Sequence, residues 1–137
     1  MVIGALALQI NAAHAIAPFK KEFDGKYVKK EPATDAEKAL AASVSEAKCN
    51  VCHYGKSKKN RNEYGQALAK ELTKKDGKEI AKIQAALDKV AALKSKADDA
   101  SAPTFGELIQ QGKLPALEPP NATASAADAD ADADAEE

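Results

Sequence analysis

Strand-like alternation, membrane-spanning apolar runs, methionine and tryptophan are all scarce or missing in this chain. Of 137 residues, one is methionine, none is tryptophan, two are histidine, two are cysteine, and aromatics make up 4%. With no stretch of spanning length, a transmembrane helix is excluded and the mature chain is expected to be soluble. With no interleaving of basic and aromatic residues, there is no stacking platform for nucleic acid. The absence of period-two alternation leaves an all-α reading. Structural zinc usually requires four protein ligands, and here there is no third cysteine and no histidine besides His14 and His53.

What is present is concentrated at Cys49-Asn50-Val51-Cys52-His53. The spacing Cys-x-x-Cys-His is the attachment signature of c-type haem. Two thiols at this separation can add across the two vinyl groups of one porphyrin. The adjacent imidazole then reaches the iron from the same side. Other readings use the same residues. Cys49 and Cys52 could form a thioredoxin-like redox pair, although that motif expects a βαβ setting. They could be half of a zinc site, or His53 could be an ordinary surface histidine behind a chance cysteine pair. The complete five-residue pattern favours haem, one per chain, with Cys49, Cys52 and His53 as its binding residues and His53 as the iron ligand.

Both ends of the chain are expected to lie outside the folded body. Residues 1–15 carry an apolar run followed by Ala13-His14-Ala15, a small-x-small pattern typical of a secretory signal, though without a basic residue ahead of it. Residues 117–137 hold a single large aliphatic, Leu117, and an alternating Ala-Asp tract, a composition that reads as disordered. The near-neutral total charge therefore conceals an asymmetry. Before residue 117 there are 20 basic and 14 acidic residues, a net +6; the remainder carries 7 acids and no base. A basic body suits a negatively charged partner, and the acidic segment could compete for the same face or merely keep the chain in solution.

Residues 16–116 read as one helical domain. Phe19, Phe23 and Tyr27 form a stripe at steps of four, suited to packing or to covering a haem face. Thr34 or Asp35 can cap a helix in which Leu40, Val44 and Ala47 share a side and which runs into Cys49. A basic loop follows from Gly55 to Asn62, then a face of Tyr64, Ala67, Leu68 and Leu72. A longer helix over about 77–95 shows Ile80, Ile83, Leu87 and Val90 on one side. Thr104-Phe105-Gly106-Glu107 has the spacing of a capping box, and Gly112 is expected to end the last helix.

A helix leading into Cys-x-x-Cys-His, then a loop and further helices, resembles the small single-haem c-type cytochromes. The similarity covers about residues 35–116, and its specific part is Cys49, Cys52 and His53. Asn62-Glu63-Tyr64-Gly65 also looks like a recurring element of small bacterial cytochrome c domains. The resemblance implies a small helical domain wrapped around a covalently attached haem, with Cys49 and Cys52 as thioether anchors and His53 as proximal ligand. It implies export, to the periplasm or beyond, because c-type haem is attached outside the bacterial cytoplasm. Two features depart from the family. Its usual axial methionine has no counterpart, since Met1 is the only methionine. No proline follows closely behind His53, so the carbonyl that would accept its N–H bond is not evident. The sixth ligand is left open among Lys, Tyr27, Tyr64, the Ile16 amine, His14 or a second subunit.

The expected function is electron transfer rather than enzymatic catalysis. The loop Lys56–Arg61 would steer acidic redox partners to the haem edge. The alternative is a haem-based binder or sensor of small ligands at an open iron site. Peroxidase chemistry needs a distal acid–base group, for which the body offers no second histidine. A haem plate would also supply apolar bulk to helices rich in Ala and Lys, so that folding and cofactor loading become interdependent.

Overall fold

The computed structural model describes residues 17–117; the expected signal segment, His14, Met1, Ile16 and the chain beyond Leu117 lie outside the described residues. Five helices carry the fold: α1 (Ala17–Tyr27), α2 (Asp35–Ala47), α3 (Glu63–Glu71), α4 (Ile80–Ala91) and α5 (Phe105–Gln110). Short 3₁₀ turns at Lys48–Val51 and Lys74–Lys78 link them. Among the described residues there is no strand, only two isolated β-bridges. The domain is all-α. No described helix is long and apolar enough to cross a membrane.

Local chemistry sets the boundaries. Thr34 caps α2 by accepting from the Glu37 amide, while the Glu37 carboxylate accepts from the Thr34 amide. Thr104 and Glu107 repeat this reciprocal pair at α5. Each such cap is worth about 1 kcal/mol. Gly112 follows α5 at φ 78 and lies so near α2 that a Cβ would come 2.4 Å from the Ala36 carbonyl oxygen. A glycine is thus required there both by backbone angle and by space.

Two expectations need correction. The helix expected over 77–95 is shorter, because Thr73 and Asp76 form their own capping pair over a 3₁₀ turn and α4 begins only at Ile80. Ile80, placed on the apolar face by periodicity, is 59% exposed at that first position. Helix α2 also does not run straight into Cys49. It stops at Ala47, where Lys48 adopts φ 51 and ψ −113.

The core is built where the helices cross. Phe23 of α1, Leu40 and Val44 of α2, Tyr64 and Leu68 of α3, Ile83, Leu87 and Val90 of α4, and Phe105 and Ile109 of α5 are all buried together. Full burial of each large side chain contributes roughly 1.5–3 kcal/mol. An aromatic chain threads it edge to face, from Tyr27 to Phe23 (5.0 Å between centroids), to Tyr64 (5.8 Å), to Phe105 (5.2 Å). The Phe19–Phe23–Tyr27 stripe is therefore a packing face, with Phe23 1% exposed. Polar contacts fix α1 against α4: Tyr27 Oη donates to the Leu87 carbonyl at 3.2 Å and Lys26 pairs with Asp88 at 2.8 Å.

Candidate functional site

Cys49–His53 occupies a single tight turn. Lys48 at positive φ breaks α2, and the 3₁₀ turn Lys48–Val51 redirects the chain. In 3₁₀ geometry, side chains at i and i+3 eclipse one another. Cys49 and Cys52 are so related, and the Cys49 carbonyl accepts from both the Cys52 and His53 amides at 3.2 Å. Val51, between them, is fully buried and anchors the turn to the core. Cys49 is exposed, whereas Cys52 packs against the core. Burial pushes the Cys52 thiol up to about 12, partly offset by the Lys20 charge, so it is a neutral thiol near pH 7. A reactive redox cysteine shows the opposite, a lowered pKa.

His53 is buried, 6% exposed, in the fold of the basic loop. Its Nδ1 lies 3.0 Å from the Asn60 carbonyl oxygen. A carbonyl only accepts, so Nδ1 carries the proton and Nε2 carries the lone pair. Burial lowers the His53 pKa, with the nearby Arg61 and Lys58 charges acting in the same direction against the Asn60 bond. The ring is thereby neutral near pH 7, as a metal-binding imidazole must be. Asn60 supplies the carbonyl that no proline signalled in the sequence. The same oxygen also accepts from the Tyr54 amide at 3.3 Å, closing the loop behind the ring.

Asn62 joins this turn to α3. It is fully buried, and its Oδ1 accepts from the Gly65 amide at 2.9 Å, capping the helix. Its Nδ2 donates toward the Val51, Asn50 and His53 carbonyls at 3.1, 3.3 and 3.5 Å. One side chain thus holds the backbone on both sides of Cys52. Asn62-Glu63-Tyr64-Gly65 is legible as a pattern in the sequence; its role as a clamp on the Cys49–His53 turn has no signal there beyond an Asn before a helical run.

Of the tyrosines considered as ligands, Tyr27 is engaged with Leu87, and its pKa is raised to about 12 by burial and by Asp88. Tyr64 is fully buried, and burial pushes its pKa up, with Cys52 adding to the effect. Its hydroxyl and the Asn60 side-chain Nδ2 are buried without a hydrogen-bond partner among the described residues. No group of three or more His, Cys, Asp or Glu among the described residues assembles as a metal-ligand cluster.

These observations fit the donor set of a tethered haem. Two cysteines stand one 3₁₀ turn apart, one of them open to solvent, and next to them is a buried imidazole whose Nδ1 is bonded to the Asn60 carbonyl. Two grooves, of about 520 and 780 Å³, lie elsewhere: one between α1 and α4, the other along the segment leading to Leu117. Neither is lined by Cys49, Cys52 or His53.

Comparison with known protein families, curated proteins and solved structures returns no match to this chain.

Proposed function

We propose that this chain is an exported single-haem c-type cytochrome that carries electrons between proteins. The observation that carries the reading is the Nδ1 bond from His53 to the Asn60 carbonyl. It fixes the tautomer and the ring orientation that an iron ligand needs, directly behind two suitably spaced cysteines. A haem held there supplies reversible one-electron exchange at its iron. The chain's part is to hold and orient it. Cys49 and Cys52 would supply the two sulfurs and His53 a nitrogen to hold the group, while Asn62 keeps their backbone in register. Neither groove reaches these residues.

A basic collar supports docking of acidic redox partners. From Ala47 to Asn62 there is no acid, and Lys48, Lys56, Lys58, Lys59 and Arg61 are all exposed. Like most lysines other than Lys20, Lys26, Lys38, Lys82 and Lys89, these five have no carboxylate within 4.0 Å among the described residues; what sets the stretch apart is the absence of any acid within it. Unpaired surface charge of one sign speeds encounter with the opposite sign at low salt.

The test is production in a host competent for cytochrome assembly. We expect a Soret absorption and a chain mass increased by one haem, both lost in the Cys49→Ala, Cys52→Ala double variant. A colourless product of unmodified mass would overturn the proposal. A second reading, a small-ligand binder at an open iron, is favoured by one fact: residues 17–117 contain no methionine and no histidine besides His53. Rapid, tight carbon monoxide binding by the reduced protein would select it. Slow or absent binding would select the carrier.

A further inference from the structure

The two cysteines of the turn differ in what lies over them. Cys49 is exposed, while Cys52 packs against the core. The cover comes from α1. Lys20, Phe23, Asp24 and Tyr27 stand at i, i+3, i+4 and i+7 and so share one face of that helix. Phe23 packs edge to face on Tyr64, and Tyr64 precedes Gly65, whose backbone abuts the Cys52 carbonyl. Burial dominates the raised pKa of the Cys52 thiol, and the charges of Lys20 and Asp24 both reach it. We infer that α1 is a hinged cover over the Cys52 sulfur, which lifts while the rest of the fold stays closed. A two-armed electrophile then meets Cys49 in the closed protein and Cys52 only in the opened one. The inference goes beyond the haem reading and does not rest on it, because it concerns the two thiols of the folded chain.

Two features let α1 move separately. It is the least anchored of the five helices: Phe23 is its one buried residue, against two each in α2 and α5, three in α3 and four in α4. Its polar ties to α4 are only part-buried, namely Tyr27 to the Leu87 carbonyl, Lys26 to Asp88 and Gln84 to Glu22. Gly25 lies inside it, and a glycine there weakens a helix relative to alanine. Segments with few buried apolar contacts open locally before the whole fold does. The second feature is that the Cys49–His53 turn is held without α1. Asn62 Nδ2 donates to the Asn50 and Val51 carbonyls, and the Asn62 amide donates to the Cys52 carbonyl at 3.2 Å. Residues 28–33 join α1 to α2, and Lys29, Lys30, Glu31 and Ala33 among them are exposed, as a hinge requires.

The experiment labels the full chain, reduced and produced without haem, with N-ethylmaleimide. Peptide mass mapping gives the rate at each cysteine, which is divided by its rate in denaturant, with reagent kept where rates are proportional to its concentration. We expect Cys49 to label close to its denatured rate. Cys52 should label roughly a hundredfold more slowly, as for a sulfur reached through a minor opened state. Gly25→Ala, at a position where a Cβ meets nothing within 4 Å, should slow Cys52 about fivefold. Tyr27→Phe, which frees α1 from the Leu87 carbonyl, should speed it about fivefold. Ile109→Val in α5 should lower stability to urea yet leave the Cys52 rate unchanged. A Cys52 rate equal to its denatured rate would overturn the inference, as would protection that neither α1 variant alters. So would acceleration by Ile109→Val in proportion to its lost stability, since access would then need unfolding of the whole chain. None of these readouts involves haem, so a colourless protein with the expected pattern removes the haem reading and leaves the cover in place.

Discussion

Gly65 sits with its Cα against the backbone of Cys52, so closely that a Cβ there would lie 1.9 Å from the Cys52 carbonyl oxygen and 2.9 Å from its carbon. The first turn of α3 and the Cys49–His53 turn are therefore in backbone contact, with no side chain between them to yield. Replacing Gly65 by Ala must separate two backbones that Asn62 also ties together. Overpacking of this kind costs about 1–3 kcal/mol, and with backbone on both sides we expect the upper end. Chemical denaturation of Gly65→Ala against the unsubstituted chain measures it; a cost below about 0.5 kcal/mol would show that the turn can move away freely.

Asn62 has a sharper signature. Asn62→Asp keeps the oxygen that caps α3 but loses the two N–H donors and sets a carboxylate against the carbonyls of Val51, Asn50 and His53. We expect a loss of about 3 kcal/mol at neutral pH, from an unsatisfied buried site. Burial and facing carbonyls raise the pKa of such an acid in the folded state. The penalty is then present above that raised pKa and shrinks as pH falls through it, because the neutral acid can donate again. Melting temperature followed from pH 8 to pH 4 should narrow the gap to the unsubstituted chain. A gap that widens on acidification would refute this account.

Lys48 stands at φ 51 and ψ −113, in a region that side chains other than glycine rarely occupy. The strain turns α2 into the motif, and it costs of the order of 1–3 kcal/mol. Lys48→Gly should stabilise the fold by about 1 kcal/mol, after allowing for the extra entropy of glycine in the unfolded chain. A destabilised variant by equilibrium unfolding would mean that the lysine side chain contributes more than its backbone loses.

Acid sensitivity should centre on Asp76. Its carboxylate accepts from Lys82 Nζ at 2.6 Å and from the Thr73 amide and hydroxyl at 2.7 and 2.8 Å, which hold its pKa down to about 2. An unfolded aspartate titrates near 3.9. The folded value is the lower one, so the contribution is fully present above about pH 4 and is lost as pH falls toward 2. Asp76→Asn should flatten the stability profile between pH 4 and 2 while leaving its shape above pH 5. An unchanged acid limb would move the effect to another carboxylate.

If haem is attached as proposed, the missing methionine has a measurable effect. Ligation of His/Met type raises the reduction potential, and residues 17–117 offer no methionine. We expect a potential below that of His/Met haems by redox titration. A value typical of His/Met ligation would require a methionine from another chain or from Met1.

Much of this architecture is legible in the residues themselves. Helical periodicity located α3 and the buried face of α4, and the spacing of Thr104 and Glu107 announced the α5 cap, because these signals are local. The packing role of Phe23 and the exposure of Ile80 depend on which helix lies opposite, and periodicity does not specify that. The site divides in the same way. Cys49, Cys52 and His53 are candidates named from their spacing along the chain alone. The Asn60 carbonyl is a backbone group that any residue could provide, and its position comes from the folding back of the loop. Asn62 and Gly65 act on carbonyls 9 to 13 residues away, a relationship that exists only in three dimensions.

The edge-to-face aromatic series also gives the protein an intrinsic optical reporter. Tyr64 touches Phe23 and Phe105, and so stands at the junction of α1, α3 and α5. In a chain without tryptophan, immobilised tyrosine and phenylalanine rings supply the near-ultraviolet circular dichroism of the polypeptide. A loosening of any one of the three helices would erase that signal while the far-ultraviolet helical bands persist, so a partly assembled core can be told from a native one without any label.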